Sequence, residues 1–185
     1  MSVEVINYEP ALIKIDMGIV SFKSNDIPVK GDNREVINEG IKINDIIYKI
    51  TCLSIGNPHC VIIDNEISEG KARKIGPLIE NNGLFPNRIN VQFVRVKDRR
   101  NIQIEIWERG AGYTLASGSS ACASASAAYR LGLVERSVRV QMPGGNLDIE
   151  IDEHDHVQMT GTVSNVAEGN FSAEMRAKIT ERVNI

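Results

Sequence analysis

The residue types best suited to chemistry lie within residues 107–132, where a charged pair and a glycine-rich loop lead into a run of small residues. Glu108 and Arg109 form the charged pair, and Gly118 and Ser119 stand where a helix is expected to begin. The first N–H groups of a helix have no partner inside it and carry partial positive charge. We therefore expect this loop to bind an anion, either a carboxylate or a phosphate. The alternative is a simple connection between a strand and a packed helix, with nothing bound.

The helix that follows this loop is predicted over residues 119–131, with Ser119 or Ser120 as its N-cap. Up to Tyr129 its residues are almost all Ala, Ser or Cys, and such small side chains let other elements approach closely from every side. Gly132 is suited to end the helix. We therefore expect a buried central helix.

Two other loops carry polar side chains that could reach a ligand. Asn57 and His59 lie between two apolar strands, where Asn57 could offer its amide and His59 could act in acid–base chemistry. The alternative is that Asn57 makes a local turn and His59 is a core residue. Asn90 stands at the mouth of another strand, where it could bind a ligand or cap the turn.

Residues 152–156, Asp-Glu-His-Asp-His, are of types that bind metals. They fall where the strand alternation requires a turn, and no second group of ligands accompanies them in the sequence. We therefore expect a solvated turn here and predict no metal site.

Short runs of alternating apolar and polar residues predict β-strands along most of the chain. These runs are residues 3–6, 12–17, 41–55 with a turn at 44–45, 58–63, 91–96, 102–107, 137–142, 147–151, 157–162 and 166–173. A surface helix is predicted over residues 67–81, with a break or kink near Gly76 because Pro77 interrupts it. The pattern indicates an α+β fold of mostly antiparallel strands curled around a central buried helix. Residues 1–172 are expected to form one domain and residues 173–185 a C-terminal tail or helix.

The bulk composition is that of a globular protein. The chain has 185 residues, of which 42% are hydrophobic, and a net charge of −3, which argues against a general nucleic-acid binder. Three cysteines, at 52, 60 and 122, are too few for a disulfide framework, and Cys52 and Cys60 are expected to be buried structural thiols. No stretch resembles a signal peptide or a membrane span, so we expect a cytoplasmic protein without a membrane or nucleic-acid partner.

Several motifs in fixed order resemble the diaminopimelate epimerase family. They are Gly-Asn-Pro-His-Cys-Val at 56–61, Arg-Ile-Asn at 88–90, Glu-Arg-Gly-Ala-Gly at 108–112 and Ala-Ser-Gly-Ser-Ser-Ala-Cys at 116–122, and the resemblance spans residues 2–171. It implies a fold of two similar halves, each with strands curled around a buried helix and with the active site between them. This chain looks like the second half.

The resemblance implies a cofactor-independent epimerase or racemase acting on the α-carbon of a free amino acid, converting LL- to meso-diaminopimelate for lysine and cell-wall precursors. In the family one cysteine thiolate removes the α-proton and a second thiol returns a proton to the opposite face. Matched by motif, the candidate substrate contacts are Asn57, Asn90, Glu108, Arg109, Gly118 and Ser119. The candidate catalytic residues are Ser117, Glu108 and His59.

Two residues depart from the family pattern. Ser117 stands where the family has its second catalytic cysteine, and Tyr113 stands where the family usually has a glutamate. The pKa of an alcohol lies far above that of a thiol, so Ser117 is not expected to transfer protons efficiently near neutral pH without an activating base. The first half, with its own cysteine in a Cys-Gly-Asn-Gly motif, has no counterpart before Met1. We therefore expect the isolated chain to be weakly active or inactive.

Two alternatives to a catalytic half remain open. The chain could be a truncated or degenerate half-domain that binds an amino acid without converting it. Two copies could also pair as a homodimer that mimics the two-half cleft, because the surface that normally packs on the first half would be exposed.

Overall fold

The computed structural model describes residues 3–8, 11–164, 166–167 and 169–183. Its strands are β1 Val3–Tyr8, β2 Ala11–Ile19, β3 Glu39–Ile43, β4 Ile46–Ser54, β5 Pro58–Ile63, β6 Asn90–Asp98, β7 Asn101–Glu108, β8 Gly112–Thr114, β9 Ser137–Met142, β10 Gly145–Ile151 and β11 His156–Val163. Its helices are α1 Glu69–Glu80, α2 Gly118–Arg130 and α3 Ala173–Val183. This mixture of one large sheet and helices confirms the predicted α+β class.

The described strands form one sheet in the order β1-β2-β11-β10-β9-β7-β6-β5-β4-β3, with β8 paired to β7 outside this path. Neighbouring strands are antiparallel except for β5 with β6 and β7 with β9. The segment after β2 crosses to the far side of the sheet, where Ser21 bridges Ser54 of β4. Further along that segment, Val36 N donates to Phe22 O and Val36 O accepts from Cys52 N. These bonds draw the two sides of the sheet together, so the sheet curls around one helix.

That helix is α2. Its residues 120–128 are all buried, and it packs against β4–β7 and β9–β11. Ile102, Ile104 and Ile106 of β7 belong to the same core. Strands can approach the helix axis this closely because Ala, Ser and Cys side chains are small. The predicted buried central helix is confirmed.

A second core lies between α1 and the other face of the sheet. Ala72, Ile75 and Ile79 of α1 pack there with residues of β3–β6. Of the break or kink expected near Gly76, the break is wrong, since α1 continues through Pro77 to Glu80. Proline removes one backbone hydrogen bond, and the buried side chains on both sides of Pro77 hold the helix in place despite that loss.

The strand expected over residues 166–173 is also wrong. Residues 166–167 and 169–172 belong to no strand, Glu168 lies outside the described residues, and α3 begins at Ala173. The side chains of Val166 and Phe171 are 95% and 64% exposed. Alternation produces a strand only where a partner strand and an apolar face are available, and β11 already has partners on both sides.

The predicted turn at residues 152–156 and the predicted burial of Cys52 and Cys60 are confirmed. Residues 152–156 form a turn in which Asp152 Oδ1 accepts from His154 N at 2.8 Å and His156 N at 3.0 Å. Cys52, Cys60 and Cys122 are buried and free, and burial raises the pKa of Cys122 to about 12. Among the described residues no helix has both the length and the apolar character needed to cross a bilayer.

Candidate functional site

One edge of the sheet collects most of the candidate residues. Strands β5 and β6 run parallel and begin at this edge, and β7 ends there. Asn57 Nδ2 donates to Ser119 Oγ at 3.4 Å, which links the loop before β5 to the start of α2. Asn90 Nδ2 donates to Pro58 O at 2.8 Å, and Asn90 Oδ1 accepts from Arg109 N at 2.9 Å. These contacts bring Asn57, Asn90, Arg109 and Ser119 together from three separate parts of the chain.

The start of α2 differs by a few residues from the prediction. Ser117 is the N-cap residue, with φ −157° and ψ 124°, and its carbonyl accepts the first helical bond from Ala121 N at 3.0 Å. The expected N-cap at Ser119 or Ser120 is wrong because both lie inside the first turn, where Ser120 is buried and accepts from Gln92 Nε2 at 3.1 Å.

The Ser117 side chain makes no capping hydrogen bond, and the first turn contains no acidic residue. The N–H groups of residues 118–120 have no acceptor within the helix, so they can receive an anion. A side chain on Gly118 would come within 3.0 Å of Met159 Sδ, which favours glycine at this position. Beside Ser117 and Gly118 lies an open pocket of about 290 Å³, also lined by the β9–β10 hairpin and Thr162.

His59 lies beneath this site rather than on its open surface. Its side chain is fully buried, and Nε2 lies 2.9 Å from Asn57 Oδ1. The pKa of His59 is lowered to about 4, mainly by burial; Gln92 opposes this change, and the positive charge of Arg109 adds to it. At neutral pH the ring is therefore uncharged and holds the Asn57 amide.

Gln92 continues this buried polar chain. Within the described residues, His59 Nδ1 and Gln92 Oε1 have no hydrogen-bond partner, and Gln92 Nε2 donates to Ser120 Oγ at 3.1 Å. Gln92 was missed in the sequence because its burial depends on α2, which packs on β6 from a distant part of the chain.

The loop between β7 and β8 presents two charged groups. Arg109 is exposed, and its Nη1 donates to Asn87 O at 3.1 Å. Glu108 is half-buried, and no described residue donates to its carboxylate. Neither side chain is paired with an opposite charge within the described part of the chain. Together they can bind a ligand that carries a positive and a negative group.

Tyr113 is held away from this surface. Its hydroxyl donates to the buried Glu105 carboxylate at 2.6 Å, and the Arg73 guanidinium lies 4.7 Å from the ring centre. Desolvation, and then the hydrogen bond to Glu105, raise the pKa of Tyr113 above its ordinary value. The phenol therefore remains protonated and acts as a packing residue.

Glu80 is a second residue that the sequence analysis missed. It is 4% exposed, and its carboxylate accepts from Trp107 Nε1 at 2.7 Å, from Gly110 N at 2.8 Å and from Arg88 Nη1 at 3.2 Å. The sequence contained a sign that Glu80 is buried, because residues 72, 76 and 80 are spaced four apart and form one buried stripe of α1. A charged residue on a buried stripe indicates a hydrogen-bonding role.

Comparison with known proteins places these motifs in a family. The family model for diaminopimelate epimerase matches residues 51–166, which include every candidate site residue. Diaminopimelate epimerase 2 from Nostoc sp. is 52% identical over 165 residues, which cover 89% of this chain and 58% of that protein. A diaminopimelate epimerase from Methanococcus maripaludis is 41% identical over 172 residues, which cover 92% and 62%. The chain thus spans about three-fifths of the length of these curated relatives.

Solved structures with this fold are more distant in sequence. A protein described as a predicted epimerase from Pseudomonas aeruginosa matches with a TM-score of 0.59 at 16% identity, over 89% of this chain and 60% of that chain. A hydroxyproline epimerase from Agrobacterium vitis, with bound trans-4-hydroxy-L-proline, matches with a TM-score of 0.56 at 11% identity, over 82% and 49%. At such identities the likeness establishes the fold.

Proposed function

Since the chain belongs to the diaminopimelate epimerase family, we propose that it forms one wall of the site of a cofactor-independent amino-acid epimerase of the diaminopimelate type. The observation that carries this proposal is the arrangement at the sheet edge. Unpaired N–H groups at the start of α2 lie beside Asn57, and the Glu108 and Arg109 side chains have no ionic partners among the described residues. A free amino acid is a zwitterion whose carboxylate and ammonium groups are complementary to these sites.

In this proposal the first turn of α2 binds the α-carboxylate. When the α-proton leaves, negative charge spreads from the α-carbon into the carboxylate, and N–H groups already in place stabilise that charge without rearranging. Asn57 adds a donor on the same side, with its amide held by His59. Asn90 acts on the loop, since both ends of its amide are already bonded to Pro58 O and Arg109 N.

Ser117 limits what this wall can do alone. Its hydroxyl is free at the helix start, but a hydroxyl is a poor proton donor and acceptor at neutral pH. His59 is uncharged, buried and bonded to Asn57, so it does not activate Ser117 from the open surface. We propose that turnover requires a second wall carrying a thiol, supplied by the remaining length found in the relatives or by a partner chain.

Titration calorimetry tests the binding part of this proposal. We expect meso- and LL-diaminopimelate to bind, and 1,5-diaminopentane, which lacks carboxylates, not to bind. Arg109→Ala should weaken binding about tenfold by removing a charge-assisted bond. Arg99→Ala, an exposed arginine at the opposite end of β7, should leave binding unchanged. Equal binding of 1,5-diaminopentane, or no binding of either diaminopimelate isomer, would contradict the proposal.

A second candidate function is amino-acid binding without catalysis, either by one half-domain or by a homodimer that mimics the full cleft. Ser117 and the packed Tyr113 favour it, because neither position supplies an acid or base to the open surface. Deuterium exchange at the α-carbon, followed by NMR in heavy water, separates the two functions when the chain is mixed with the remaining part of a relative, which supplies the second wall. Exchange in the mixture supports the epimerase, whereas binding without exchange in the mixture supports the binding module, and sedimentation shows whether a dimer forms.

The domain division and location are also proposals. We take residues 1–172 as one functional domain, with the segment from residue 173 onward appended to it. The exposed side chains of Met175 and Ile179 on α3 agree with an appended segment. We also propose a cytoplasmic location, which fits three unpaired thiols and a substrate from the free amino-acid pool.

A further inference from the structure

Glu80 is a buried carboxylate that lies behind the proposed site without lining it. It stands at the end of α1, where Oε1 accepts from Gly110 N and Arg88 Nη1, and Oε2 accepts from Trp107 Nε1. A carboxylate buried in this way is retained only where several donors compensate for its lost hydration. Glu80 thus binds the indole of β7 and the backbone of Gly110, which are 27 and 30 residues away, and the nearby Arg88.

Two of its partners, one near the end of β7 and one in the β7–β8 loop, flank the charged pair. Trp107 precedes Glu108, and Gly110 follows Arg109. Arg109 N is itself bound by Asn90, so the backbone of the loop is held on both sides of the exposed guanidinium. Gly110 has φ +77°, a conformation that glycine adopts without strain and that the bond to Glu80 helps to select.

The indole of Trp107 is fixed against α1 by packing as well. A Cβ on Gly76 would lie 2.5 Å from Trp107 Cγ, so the helix and the indole are in direct contact. The helix end and the loop therefore move as one unit through packing at Gly76 and hydrogen bonds at Glu80.

We propose that Glu80 is a positioning residue for ligand binding. It holds residues 107–110 in the conformation that presents Glu108 and Arg109 to a zwitterionic amino acid. This inference rests on the proposed function for the identity of the ligand, whereas the control of the loop by Glu80 can be tested without any ligand.

The proposal depends on the charge and geometry of a carboxylate. A carboxylate has two acceptor oxygens, whereas an amide of the same shape has one acceptor and one NH₂ group. In Glu80→Gln the NH₂ group must face either the indole N–H or the Gly110 N–H, and that donor then loses its acceptor. The substitution preserves side-chain volume, so its effect reports on hydrogen bonding rather than packing.

The experiment compares Glu80→Gln with Ile79→Val in the full chain. Ile79 is the buried neighbour on α1, and its loss of a methyl group lowers stability without removing a hydrogen bond from residues 107–110. Trp107 is the single tryptophan of the protein, so acrylamide quenching of its fluorescence reports directly on this loop. Amide exchange at Gly110 and the Kd for meso-diaminopimelate are measured at a temperature where every variant is folded.

We expect Glu80→Gln to increase quenching and Gly110 exchange and to weaken meso-diaminopimelate binding about tenfold. Ile79→Val should lose thermal stability but retain wild-type quenching, exchange and Kd. Wild-type exchange and quenching in Glu80→Gln, or equal weakening of binding in Ile79→Val, would overturn the proposal. If the wild type itself does not bind meso-diaminopimelate, the proposed function fails, and the quenching and exchange data still decide whether Glu80 holds the loop.

Discussion

At the scale of single residues, Ser117 combines a favourable position with weak chemistry. It caps α2 in an extended conformation, and its hydroxyl makes no capping bond. The partial positive charge of a helix start stabilises an anion at this position. A thiol can exploit that environment by ionising, whereas a hydroxyl does not ionise near neutral pH. What limits proton transfer at position 117 is therefore the type of residue, a serine, and not its placement.

Replacing that hydroxyl by a thiol tests this reasoning. We expect the thiol introduced by Ser117→Cys to have a pKa about one unit or more below that of an ordinary exposed cysteine, because the α2 start stabilises the thiolate. Thiolate ultraviolet absorbance against pH measures it. Ser137→Cys, at an exposed serine of β9, is the matched control. Equal pKa values in the two variants would show that the start of α2 does not favour an anion.

At the scale of elements, α2 determines how closely the strands can approach. Nine consecutive small residues, Ser120 to Ala128, are buried between strands from both halves of the sheet. On its first turn, Ser120 accepts a hydrogen bond from Gln92 and Ser119 accepts one from Asn57. The same helix therefore fills the core and places the anion-binding N–H groups at the edge.

Enlarging a residue in the middle of α2 should lower the stability of the fold. Ala125 is fully buried, and Ala125→Leu is expected to destabilise the fold by about 1–3 kcal/mol because the added atoms force strands apart. Ala177→Leu on the exposed surface of α3 should change stability by less than about 0.5 kcal/mol. Urea unfolding of both variants measures the difference. An unchanged unfolding midpoint for Ala125→Leu would mean that the strands around α2 are loosely packed.

At the scale of the whole molecule, the sheet closes around α2 and buries groups that would titrate in solution. His59 is the clearest example, because the curl encloses it completely and lowers its pKa to about 4. An unfolded chain binds a proton at this histidine near its ordinary pKa of about 6.5, whereas the folded chain does not until about pH 4. Protonation therefore favours the unfolded state between these two values.

The free energy of unfolding should consequently decrease as the pH is lowered from about 6.5 to about 4. The contribution of His59 is fully present above about pH 6.5 and decreases as pH falls toward 4, by about 3 kcal/mol in total. Urea unfolding of the wild type at pH 7 and pH 5 should differ by about 2 kcal/mol more than in His59→Gln. His154→Gln, at an exposed histidine, is the control and should resemble the wild type. The same pH dependence in wild type and His59→Gln would contradict this account.

The sequence by itself determined the features that depend on neighbours along the chain. Alternation predicted the described strands apart from β8, small residues predicted the burial of α2, and Asn44 with Asp45 predicted the turn between β3 and β4. Period and turn chemistry are local properties, so they are readable without knowing the fold. The failures had the same origin, since the alternation after Val163 met no partner strand and Pro77 was retained by burial of its neighbours.

Only the tertiary structure decided which polar groups are available at the site. Glu80 meets Trp107 and Gly110 across 27 and 30 residues, and Asn90 meets Pro58 across 32. His59 becomes a neutral support for Asn57 because the sheet closes over it, whereas Ser117 becomes the N-cap because Ser120 is drawn into the core by Gln92. Such roles depend on desolvation and on partners brought from distant positions, and neither is encoded in the spacing of adjacent residues.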